Sequence, residues 1–231
     1  MIFRTIMLWL FGLPVTAFLF LVVLISLPFS KHGRAIHSIG AFWCRIILAL
    51  CGIRVKISGL SELPKTGAVI IASNHQGIFD IPVLQGLLPL QFRWVSKKSL
   101  FNIPVIGWTM TLAGYISIDR KSATKSFRSI KHAAKRIKAG TSVLIFPEGT
   151  RGPERELLPF KRGLFYLGTE SGVPLVPISI SGTSNIMKDH SIWIKPSSVE
   201  LKIHKPIDTN GIDEEELMKQ TRKAISAGLG W

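Results

Sequence analysis

His75 and Asp80 stand five positions apart in the run Asn74-His75-Gln76-Gly77-Ile78-Phe79-Asp80. An imidazole titrates near ~6.5 when unperturbed, which suits it to accept a proton at neutral pH. A carboxylate bonded to one ring nitrogen leaves the other free for that task. Five residues along a helix point about 140° apart, and five along a strand face opposite ways. The two side chains therefore meet only if the backbone turns between them. Gly77 permits such a turn, and Pro82 suits the first turn of a following helix. The spacing alone is equally satisfied by Asp80 capping that helix and His75 serving as a polar loop residue.

A second group lies about seventy residues on, at Phe146-Pro147-Glu148-Gly149-Thr150-Arg151. Gly149 lets the backbone approach a ligand closely, Thr150 adds a hydroxyl, and the Arg151 guanidinium matches phosphate oxygens. Glu148 is placed to steady Arg151. Pro159-Phe160-Lys161-Arg162-Gly163 then opens a helix with two cations at its N-terminus. Cations there oppose the helix dipole, and a bound anion relieves the conflict. Asp119-Arg120-Lys121, after another strand, offers a third cation. The plainer reading of Phe146–Arg151 is a turn with surface charges. No Cys/His or Asp/Glu group has metal-ligand spacing, and no Gly-x-Ser-x-Gly elbow occurs. A proton acceptor and an anion clamp without a serine nucleophile suit direct transfer to an alcohol.

The elements that must position these groups follow from periodicity. The expected strands are 54–58, 68–73, 92–96, 115–118, 142–146, 174–181 and 199–204. The expected helices are 81–88, 104–112, 122–139, 161–171 and 213–228. This alternation implies an α/β fold, with a mostly parallel central sheet of about seven strands flanked by helices. His75 then falls at the C-terminal end of a strand, where α/β sites are built. Residues 58–231 read as one domain. In helix 122–139, Ala123, Phe127, Ile130, Ala134 and Ile137 form the apolar stripe. Its many lysines and arginines make either a solvated surface or a landing face for anionic lipid or an acidic carrier protein.

Residues 1–57 read as a membrane-associated helical hairpin. Residues 5–30 carry no Asp, Glu, Lys or Arg, enough for a helix to cross ~30 Å of hydrocarbon. A signal peptide is the weaker reading, because the apolar run is long and no Ala-x-Ala-like site follows. In 35–53, Ile36, Ile39, Trp43, Ile46 and Leu50 recur at helical spacing, with Arg34, His37, Ser38 and Arg45 on the other side. Lys31, Arg34 and Arg45 place the catalytic domain at the cytoplasmic face of the cell membrane; Arg4 opposes this, and a monotopic hairpin stays open. Cys44 and Cys51 are seven residues apart, about 10.5 Å along a helix, too far for a disulfide. The 29 Lys plus Arg against 14 Asp plus Glu give a net charge of +15. Such charge attracts anions, and the apolar N-terminus points to membrane lipids rather than nucleic acid.

Taken in order, the motifs resemble those of the glycerolipid acyltransferases, most closely the bacterial 1-acyl-sn-glycerol-3-phosphate acyltransferases. The family's His-x4-Asp block appears as His75 to Asp80. The block ending Ile-Asp-Arg appears as Gly114 to Arg120. Phe146–Arg151 matches the Phe-Pro-Glu-Gly-Thr-Arg block, followed by Pro159–Gly163, and Val173–Ile178 matches the fourth. The resemblance implies transfer of a fatty acyl group from acyl-CoA or acyl carrier protein to the sn-2 hydroxyl of lysophosphatidic acid, giving phosphatidic acid in phospholipid biosynthesis. It implies His75 as base and Asp80 as its orienting partner. Arg120, Glu148, Gly149, Thr150, Arg151 and Lys161 would bind the acceptor, and Val173–Ile178 would shape a pocket. No metal and no cofactor beyond the donor are implied. The alternatives are another lysolipid acceptor, including a lyso-amino-acid lipid, or a non-catalytic protein that binds anionic lipid.

Overall fold

The computed structural model describes residues 1–119, 122–188 and 191–230. Seven strands form one sheet: β1 (Arg54–Ser58), β2 (Ile70–Ser73), β3 (Phe92–Lys97), β4 (Ile116–Ile118), β5 (Ser142–Ile145), β6 (Leu175–Ser181) and β7 (Ser198–Ile203), in the order β1-β7-β6-β2-β5-β3-β4. β6, β2, β5, β3 and β4 run the same way; β7 is antiparallel to β6 and carries β1 parallel to itself. The helices are α1 (Ile2–Ser26), α2 (Arg34–Cys51), α3 (Asp80–Leu87), α4 (Ile106–Leu112), α5 (Ala123–Lys138), α6 (Arg162–Ser171) and α7 (Glu214–Leu229). All seven expected strands are present, and the sheet is mostly parallel as anticipated. The four residues of β2 and of β5 are buried throughout, as parallel strands covered on both faces must be.

Side-chain alternation sends the two faces of the sheet into separate cores. Ile71, Leu144, Val176 and Ile178 pack with Val83 and Leu84 of α3 and with Ile47, Leu48 and Cys51 of α2. Ile70, Val143, Ile145 and Leu175 pack on the other face, with α5, α6 and α7. α2 is thus part of a core, and the boundary drawn after residue 57 falls inside β1, whose five residues pair with β7. His37, assigned from the sequence to the polar side of α2, is buried instead. Gln85 Nε2 donates to its carbonyl at 3.1 Å, and Tyr115 Oη lies 3.2 Å from its Nδ1. On α5 the inward residues are Ala133, Ala134 and Ile137, whereas Phe127 is exposed beside Tyr166.

α1 and α2 are each long and apolar enough to cross a membrane by length and composition. Trp43 Nε1 donates to Thr16 Oγ1 at 2.8 Å, and Arg4 Nη1 donates to the Leu50 carbonyl at 3.3 Å. Arg4 therefore caps the last turn of α2, a favourable place for a cation. α1 also touches the sheet domain at two separated points. Near its start, Thr5 Oγ1 accepts from the Ile194 N–H at 2.9 Å; further along, Phe20 lies 6.1 Å from Trp108 of α4 between ring centres. Its outer side exposes Phe3, Leu13, Phe18, Leu21 and Ile25, whereas Ile6 and Leu10 line a groove with Ile192 and Trp193.

Candidate active site

β2 and β5 are parallel neighbours, with Ala72 opposite Ile145, and both leave the sheet at the same end. Past β2, Asn74 is fully buried. Its Nδ2 donates to the Ile180 carbonyl, and its Oδ1 accepts from the Ile180 N–H, both at 2.8 Å. The side chain thus replaces a backbone pairing with β6 while the chain turns out of the sheet. Gly77 packs so tightly on Thr183 that an added Cβ would lie 2.9 Å from its backbone. The turn brings Asp80, the first residue of α3, back under His75.

Asp80 is fully buried, and its Oδ2 collects three donors. It lies 2.7 Å from His75 Nδ1, accepts from the Gln76 N–H at 2.7 Å, and accepts from the Gly77 N–H at 2.9 Å. The two backbone amides fix the carboxylate, and the carboxylate assigns the proton to Nδ1. Nε2 is then left with its lone pair. The His75 side chain retains 15% exposure, so the ring can be reached by a reactant.

The turn after β5 is bonded directly to this histidine. Glu148 is buried; its Oε1 accepts from the His75 N–H at 2.8 Å and its Oε2 from the Leu158 N–H at 2.9 Å. The His75 carbonyl accepts from the Gly152 N–H at 2.8 Å. Burial pushes the Glu148 carboxyl upward, and the two amide donors oppose that shift. Gly149 adopts φ +75°, a left-handed conformation suited to glycine, and its N–H donates to the Phe146 carbonyl. Thr150, Arg151, Lys161 and Arg162 are exposed, with Lys161 at the N-cap of α6 and its N–H on the Pro147 carbonyl at 2.8 Å.

The structure therefore brings His75, Asp80 and the Glu148–Arg151 turn together, with Lys161 bonded to that turn. Arg120 lies outside the described residues; its neighbour Asp119 pairs with Lys98 at 3.2 Å. Glu148 differs from its expected place against the acceptor, because both of its carboxylate oxygens are taken up by backbone N–H groups. Leu175, Val176 and Ile178 also differ, since they are fully buried in the two cores and leave no surface to line a pocket. Two contacts lie beyond what the motif spacing implies: the Asn74 amide pairs with Ile180, and the Phe146 ring lies 3.9 Å from the His75 ring at an interplanar angle of 6°. The repeated apolar positions before each motif are the only sequence signal for either.

A fixed imidazole at the end of a parallel strand, with cations on adjoining loops, is an α/β site able to take a proton from an alcohol that carries an anionic group. The acyltransferase family model matches residues 54–181, which contain all of these groups. The chain belongs to the acyltransferase family. It is 35% identical over 223 residues to a chloroplastic 1-acyl-sn-glycerol-3-phosphate acyltransferase of Brassica napus, covering 93% of this chain and 64% of that protein. It is 33% identical over 199 residues to a 1-acyl-sn-glycerol-3-phosphate acyltransferase of Limnanthes douglasii, covering 83% and 68%. The chain thus spans less than two thirds of the Brassica protein. The crystal structure of the 1-acyl-sn-glycerophosphate (LPA) acyltransferase PlsC from Thermotoga maritima superposes with a TM-score of 0.83 at 25% identity, covering 97% of this chain and 92% of that one.

Proposed function

We propose that this chain transfers a fatty acyl group from a thioester donor to the free sn-2 hydroxyl of lysophosphatidic acid, forming phosphatidic acid. The observation that carries the reading is the 2.7 Å contact from His75 Nδ1 to Asp80 Oδ2, beside a cationic turn hydrogen-bonded to the same histidine. His75 Nε2 takes the hydroxyl proton as the alcohol oxygen attacks the thioester carbonyl. The tetrahedral adduct then expels the thiolate, which takes the proton back from the imidazolium. Asp80 holds the tautomer throughout. Arg151 and Lys161, with Arg120, grip the phosphate, and Gly149 and Thr150 shape the turn around it. Glu148 acts by holding that turn against the His75 backbone. The reaction needs no metal and no cofactor beyond acyl-CoA or acyl carrier protein.

The hairpin holds this chemistry at the cytoplasmic face of the cell membrane. Thr5 and Phe20 are about 22 Å apart along α1, and both touch the sheet domain. A helix bound to the domain at both places lies along it, which favours seating in one leaflet over a span. The deciding measurement is an acyl-transfer assay with purified protein, given lysophosphatidic acid and other lysolipids in turn, with each donor. Phosphatidic acid is the expected main product. Faster acylation of a lysolipid without the phosphomonoester would transfer the reading to that acceptor, and no transfer with any pair would leave lipid binding alone.

A further inference from the structure

Asp80 restrains the His75 ring at one point in its own plane. A second restraint, perpendicular to that plane, comes from Phe146. The two rings are nearly parallel, 6° apart in tilt with centres 3.9 Å apart. The pairing follows from the sheet: β5 lies beside β2, Ala72 stands opposite Ile145, and Phe146 is the next residue after β5. Phe146 is itself backed by Trp94, whose ring centre is 5.5 Å away. Trp94 belongs to the adjoining strand, opposite Leu144, so it shares a face with the residue two places on. The Trp94 indole is held in turn, since its Nε1 donates to Gln85 Oε1 at 2.6 Å, and Gln85 Nε2 donates to the His37 carbonyl of α2 at 3.1 Å.

We propose that Phe146 is a positioning residue for the base, holding the imidazole plane so that Nε2 points at the acceptor hydroxyl and stabilising the imidazolium once the proton has moved. The electron-rich face of a phenyl ring attracts a cation lying over it. That attraction is weak while His75 is neutral and grows as the ring gains its proton, so it acts on the transition state more than on the bound substrates. The proposal rests on His75 acting as the base.

The test compares Phe146→Leu, Phe146→Tyr and His75→Ala in the full-length protein, with melting temperatures to establish folding. Phe146→Leu is expected to lower kcat about tenfold with little change in either KM, the size of a cation–ring contact in a partly dry site. Phe146→Tyr keeps the ring and is expected to keep most of kcat. The acid limb of the kcat/KM pH profile is expected to move to lower pH in Phe146→Leu, because the imidazolium loses a partner. A raised KM with unchanged kcat, an equal loss in the Tyr variant, or an acid limb moved to higher pH would overturn the proposal. Phe146→Met takes the place of the Leu variant if the latter does not fold. Turnover by His75→Ala would instead refute the base assignment itself, whatever the Phe146 variants do.

Discussion

On one side of the site, Asp80 is wholly buried and a single carboxylate oxygen holds the imidazole and two backbone amides. On the other side, Thr150, Arg151, Lys161 and Arg162 stand at the exposed surface. The proposed base is thus held in place by the fold itself, the kind of positioning that lowers a barrier. The cations meet water and salt, and gain most of their interaction strength once a ligand excludes water. Glu148 joins the two sides, with one oxygen on the His75 N–H and the other on the Leu158 N–H. The rigid imidazole and the exposed cations are therefore coupled through one buried carboxylate.

The contrast breaks most sharply at the base. His75→Ala should lower turnover by roughly 10²–10⁴ while the melting temperature stays close to that of the parent protein. Near-normal turnover would remove the base from the scheme. Arg151→Ala, on the exposed side, should raise KM for lysophosphatidic acid roughly 10–100-fold, the size of a lost charge-assisted hydrogen bond, with a smaller effect on the thioester. Equal effects on both substrates would take Arg151 away from the phosphate.

Glu148→Gln tests the join. The amide supplies only one acceptor for two buried N–H groups, and stability should fall by about 1–3 kcal/mol in thermal or urea unfolding. The same variant alters the pH dependence. Burial raises the Glu148 carboxyl above the ordinary 4.5, so the folded chain holds that proton more tightly than the unfolded chain. Its contribution is therefore most favourable below 4.5 and declines as pH rises through the raised value. Glu148→Gln should abolish this decline, and an unchanged slope would exclude Glu148 as its source. The smallest effect on chemistry is expected from Phe18→Lys, Leu21→Lys and Ile25→Lys on the outer side of α1. These should weaken vesicle binding while leaving turnover on detergent-dispersed substrate within about two-fold, since they touch no part of the site. Undiminished vesicle binding would argue against α1 as the membrane contact.

Much of the fold was legible because each strand carries its own apolar run and each helix its own stripe. The His75–Asp80 pair was legible for a similar reason, since its partners lie within one turn of chain. What escaped depends on contacts across long stretches of sequence. His75 meets Glu148 across 73 positions, Asn74 meets Ile180 across 106, and Gln85 meets His37 across 48. Glu148 looked like a ligand group because an acid beside a glycine and an arginine reads as part of an anion site. Only the packed structure shows both oxygens turned inward. His37 looked polar because periodicity assigned one apolar side to α2, whereas that helix packs against both α1 and the sheet domain.

Asn74 carries a consequence for anyone recasting this scaffold. Its amide offers a donor and an acceptor to the Ile180 peptide unit, so it extends the ladder by a rung made from a side chain. An aspartate has the same outline but would set an oxygen against the Ile180 carbonyl, and a leucine would strand two buried polar groups. A redesign of this scaffold must therefore keep that carboxamide, along with the Gly77 turn and Glu148, or the strand end that aims the imidazole comes unpinned.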